Sequence, residues 1–108
     1  MFKVNDKRAR VASKKALFDV YVRRWKRDTL GASVRTIIGH QDYMRVISMG
    51  VDALPFIFQD LNDDPRAHWY PALEQITKQS PVPPETRGRM EEVRKEWLKW
   101  GKANGYMG

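Results

Sequence analysis

Few residues in this chain are of types that do chemistry. His40 and His68 each stand where a loop-like stretch meets a helix-like one. An imidazole there acts as a general base only with a carboxylate or hydroxyl within hydrogen-bond reach, and capping or packing is the expected role for both. Asp60, Asn62 and Asp64 have the spacing that opens a calcium loop, but Pro65 stands where the loop's sharp turn needs glycine and Pro71 where it needs a bidentate glutamate. That match fails. There is no glycine-rich phosphate loop, and without cysteine there is no thiolate ligand, thiol nucleophile or disulfide. No catalytic set, metal site or cofactor is expected.

Charge is the sharper signal. The chain has 108 residues and a net charge of +7, and residues 1–28 hold ten basic side chains against three acidic ones. The remaining 80 residues hold ten of each, so the whole excess lies in the first quarter. Lys7, Arg8 and Arg10, then Lys14, Lys15, Arg23, Arg24, Lys26 and Arg27, could follow a row of phosphates, displacing condensed counterions and supplying sequence-independent affinity. The competing expectations are a solvated helix face that keeps a small domain soluble and contact with an anionic membrane surface. There is no helix-turn-helix pair with a recognition helix and no aromatic-basic alternation for stacking bases, so base-specific reading is not expected.

The elements that must position these residues read as helices. Residues 1–12 are charged and lack apolar periodicity, which predicts a mobile basic arm preceding a single helical domain over 13–108. Ser13 can cap a helix to about Thr29. At about 100° per residue, Leu17, Phe18, Tyr21, Val22 and Trp25 share one arc, with Arg23, Lys26 and Arg27 opposite. Leu30-Gly31-Ala32 ends it, and Ser33 caps a short turn carrying Val34, Ile37 and Ile38 before Gly39-His40.

Three segments then repeat one phase: Tyr43, Val46, Ile47 and Gly50; Leu54, Ile57, Phe58 and Leu61; Trp69, Ala72, Leu73 and Ile76. Gly50 suits a left-handed termination, and Asn62-Asp63-Asp64-Pro65 suits a turn. Pro71 requires the third helix to kink there or to begin near Tyr70. Ser80 to Pro84 cannot continue a helix, and Pro84 is placed to open the last one, from Glu85 to about Ala103, with Met90, Val93, Trp97, Trp100 and Gly101 on one face. No stretch alternates as a strand would. The predicted fold is all-α, a compact bundle of four to five helices with amphipathic helices at both ends. No run of about 18 apolar residues and no signal-peptide pattern occurs, so a cytoplasmic protein is expected.

Residues Ile47 to Pro55, followed by Leu61 and by Trp69 to Ile76, resemble a HEAT-type repeat: helix, glycine turn, Ala-Leu-Pro entering a second helix, then a third. More widely, His40 with Tyr43, Met49-Gly50, Ala53 with Pro55, His68-Trp69, Ala72-Leu73, Pro81 to Pro84, Arg87-Gly88 and Trp97 to Gly101 resemble a family of small bacterial and mobile-element proteins. That resemblance covers residues 20–106 and implies a HEAT-like fold for the central helices, with no activity attached to it.

Four tryptophans, Trp25, Trp69, Trp97 and Trp100, fall on the apolar faces and are expected in the core. Met44, Met49, Phe56 and Tyr70 fall off them. Either the core wraps further round, or these four make an apolar patch for another protein. Together these signals predict a non-catalytic binding module, a small regulatory or inhibitory protein of bacterial or phage type. It would engage a protein partner through the face around Phe56 to Tyr70. Nucleic-acid binding through the basic N-terminal helix is the alternative.

Overall fold

The helical periodicity is realised throughout the computed structural model, which describes residues 3–107, with side chains from residue 8 onward. Among the described residues there are six α-helices and two short 3-10 turns, and no strand. The helices are α1 (Lys3–Asp28), α2 (Val34–Gly39), α3 (Gln41–Ser48), α4 (Leu54–Asp63), α5 (Tyr70–Thr77) and α6 (Met90–Ala103). None is long and apolar enough to cross a membrane. The chain divides into two compact units, Met1–Ala53 and Leu54–Gly108.

In the first unit, α1 packs on α3 and on the 3-10 turn Gly50–Ala53, and α2 packs on α3. Phe18, Val22 and Trp25 recur along α1 at helical spacing and are all buried, as are Tyr43 and Val46 of α3. Trp25 joins all three helices: its ring lies 5.1 Å from that of Tyr43, and its indole N–H donates to the Ile37 carbonyl at 2.9 Å. Thr29 closes α1 by turning its hydroxyl back to the Trp25 carbonyl.

Two expectations need correcting here. The first helix begins at Lys3, ten residues before the Ser13 cap, so the stretch read as an arm is helical in its described part. Alanine, lysine and arginine are strong helix formers, and a turn nucleated on the packed half propagates outward at little cost per residue, with no apolar face required. Leu17, expected in the buried arc, is 45% exposed, because it lies about 80° or more round the helix from Trp25, Phe18 and Val22, which do pack.

In the second unit, α4 packs on α6. Leu54, Ile57, Phe58 and Leu61 of α4 are buried, together with Trp69, Ala72, Leu73, Val93 and Trp97. The approach of α6 to α4 is close because Gly101 has no side chain: a Cβ there would stand 2.8 Å from the Phe58 ring. That ring in turn stacks at 6.0 Å on both Trp100 and Tyr106. Arg94 of α6 donates to the carbonyls of Leu61 and Asn62, capping the C-terminal end of α4. The Trp69 indole donates to Asp60 at 2.8 Å.

The glycine and proline signals are realised at Gly50, with φ of +66°, and at Pro71, which lies in the first turn of a helix beginning at Tyr70. Pro84, however, opens a separate 3-10 turn over Pro84–Thr86, and α6 starts only at Met90. Arg89 intervenes in an extended conformation, with φ of −107° and ψ of 91°. The break shortens the last helix without adding one; counting the short α2 as a helix of its own brings the described α-helices to six, where four to five were expected.

Candidate functional site

The most conspicuous surface is the N-terminal half of α1. Ten consecutive residues, Arg8–Leu17, are exposed, while the helix continues unbroken into the packed half beyond Phe18. At about 100° and 1.5 Å per residue, Arg8, Lys15, Arg23 and Lys26 lie along one side over about 27 Å. Arg10 and Lys14 flank the opposite edge of the packed stripe.

The predicted basic residues divide by their partners. Arg8, Arg10 and Arg23 are exposed and form no ion pair among the described residues. Lys14 reaches Asp52 at 2.8 Å and Lys15 reaches Asp19 at 2.6 Å, both as solvent-exposed pairs that contribute little and that a competing anion can displace. Arg27 lies against Asp28 with 70% of its side chain exposed. Lys26 is half-buried. The side chain of Lys7 lies outside the described residues.

Arg24 has a different role. Its guanidinium grips both oxygens of Asp42 at 2.9 and 3.1 Å, and Arg45 adds a third bond to the same carboxylate at 2.8 Å. Asp42 is buried, so each bond replaces lost hydration. The Arg24 bond chiefly holds the Asp42 carboxyl below its ordinary pKa; burial opposes this and Arg45 assists. Arg24 is thereby a bolt between α1 and α3, its charge already met by Asp42 although 43% of its side chain stays exposed.

His40 ends α2 and caps α3. Its Nδ1 accepts the Asp42 backbone N–H at 3.0 Å, which leaves the proton of the neutral ring on Nε2, facing Asp28 at 3.0 Å. Asp28 is held below its ordinary pKa, first by Arg27 and then by His40. His68 packs edge-on against Tyr70 with ring centroids 5.4 Å apart, and burial lowers its pKa. Asp60 and Asp64 accept from the Trp69 indole and the Arg66 backbone respectively. Among the described residues no three metal-ligating side chains converge.

The four residues expected to meet a protein partner are scattered by environment. Met44 on α3 is 50% exposed, Met49 and Phe56 are half-buried, and Tyr70 is 8% exposed. Tyr70 is therefore a core residue. Here the core wraps further round, as one of the two expectations had it: Trp69, Tyr70, Ala72 and Leu73 are all buried, so the buried arc at the start of α5 is wider than a single apolar stripe.

One feature had no sequence signal at all. Residues from the α5 start, the Ser80 to Arg87 connector and the first half of α6 line a cavity of about 220 Å³ that is half open to solvent. Its walls come from three stretches that no periodic pattern links. Comparison of the chain with protein-family models found no match, and comparison with curated proteins and with solved structures found none.

Proposed function

We propose that this protein is a non-catalytic binding module that meets the phosphate backbone of nucleic acid through the exposed side of α1. The observation that carries the reading is the uninterrupted exposure of Arg8–Leu17 on a continuous helix, together with Arg8, Arg10 and Arg23, which no carboxylate neutralises among the described residues. Cations held on a stiff rod meet a row of phosphates with less ordering cost than the same cations on a flexible arm. Binding of this kind reads charge and shape, not sequence.

Fluorescence anisotropy with labelled duplex DNA and duplex RNA tests it. With about four phosphate contacts, affinity should fall about 100-fold between 50 and 200 mM salt. Replacing Arg8, Arg10 and Arg23 together by Glu should abolish binding and leave the melting temperature unchanged. Absence of binding at 50 mM salt would dispose of the proposal.

The exposed apolar side chains of the first unit favour a second reading, a small regulatory or inhibitory protein with a HEAT-like middle that docks on a protein. Met44 is 50% exposed, Val34 52% and Leu30 90%. Recovery of one stoichiometric protein after nuclease treatment, lost on Met44→Asp and Leu30→Asp, would favour this reading over the first.

A further inference from the structure

The cavity of the second unit has a composition that selects for a ligand. Val82, Val93 and Trp97 line it and are 7%, 6% and 1% exposed, so its floor is apolar and belongs to the core. At about 220 Å³ it exceeds the ~150 Å³ in which a benzene ring is accommodated, leaving room for a ring and a short substituent. Tyr70 and His68 supply aromatic walls, and both are biased by burial toward their neutral forms.

Only two lining residues carry formal charge, Glu74 and Arg87, and both are exposed. They do not pair with each other, and neither has an ion-pair partner among the described residues; Arg87 reaches only the Ser80 hydroxyl, at 3.3 Å. A simple anion entering here meets Arg87 but also faces Glu74, and a simple cation meets the converse. A zwitterion with an apolar tail satisfies both charges and the floor together.

We propose that this cavity binds a free aromatic α-amino acid, with its ring on the Val82, Val93 and Trp97 floor, its carboxylate on Arg87 and its ammonium on Glu74. The site is independent of the α1 surface, and its failure would leave that reading untouched.

The test is an NMR titration of the isotope-labelled full chain with L-phenylalanine, following the Val93 and Trp97 resonances. Saturable shifts are expected at about millimolar ligand, the affinity that about a dozen ligand heavy atoms support. Phenylacetate and phenethylamine, each with the ring and one charge, and glycine, with both charges and no ring, should bind at least about ten-fold more weakly. Glu74→Gln and Arg87→Gln should each weaken phenylalanine binding about three- to five-fold without altering the melting curve, since both side chains are exposed. No saturable shift with phenylalanine overturns the proposal. So does phenylacetate or phenethylamine binding as tightly as phenylalanine, or affinity unchanged in both variants.

Discussion

The two units are held and charged in opposite ways. Met1–Ala53 carries the whole net charge, twelve basic side chains against five acidic, whereas Leu54–Gly108 has eight of each. The first unit rests on a small apolar set around Trp25 and Tyr43, tied by the Arg24, Asp42 and Arg45 ion cluster. The second rests on close packing, with Phe58, Trp100 and Tyr106 stacked and a helix crossing tight enough to require Gly101. One unit offers a charged rod and the other a walled cavity. A surface for a polymer and a site for a small molecule can therefore coexist in a short chain without sharing residues.

If that contrast is correct, packing variants should strike the second unit hardest. Trp97→Ala removes a side chain that is 1% exposed and should cost about 3–5 kcal/mol, read by urea unfolding and by amide exchange over α4 and α6. A loss below about 1 kcal/mol would mean that the unit is not held by its core.

Gly101→Ala comes next. The added methyl must displace a Phe58 ring that is fully buried and stacked on two others, at a cost of about 1–3 kcal/mol. Pairing it with Phe58→Leu should give a double mutant better than the sum of the two changes, which a thermodynamic cycle measures directly.

Asp42→Asn probes the polar side of the comparison. Losing the anion that Arg24 and Arg45 share should cost about 1–2 kcal/mol at neutral pH, less than a fully buried pair because both arginines keep access to water. The sign with pH follows from the lowered folded pKa. The carboxylate's contribution is complete above its ordinary value of 3.8 and is lost as pH falls through the depressed folded value. The gap between wild type and Asp42→Asn should accordingly narrow in acid; a gap independent of pH would exclude ionisation as its source. Smallest of all, Ala12→Gly in the exposed half of α1 should loosen local amide protection by about 0.5–1 kcal/mol and leave the second unit unaffected.

The sequence carried the apolar positions of the middle helices because burial there is periodic. Leu54, Ile57, Phe58 and Leu61 are all buried, Tyr43, Val46, Ala72 and Leu73 likewise, and Gly50 and Pro71 mark the boundaries expected of them. It misled at residues 8–12, read as an arm, where helix formation rests on propensity and on continuity with a packed half, neither of which leaves a hydrophobic stripe. It also grouped Arg24 with the outward cations, because a wheel shows direction but not the Asp42 carboxylate waiting on another helix.

What the residues alone determined is the all-helical class and the confinement of excess charge before Thr29, since both depend on local periodicity and composition. Tertiary structure decided which cations face water, that Tyr70 is core, and that Glu74 and Arg87 share the mouth of a cavity. Those facts arise from residues distant in the chain meeting in space. No short-range pattern can encode such meetings, because the energies that select them come from burial and pairing between elements rather than within one.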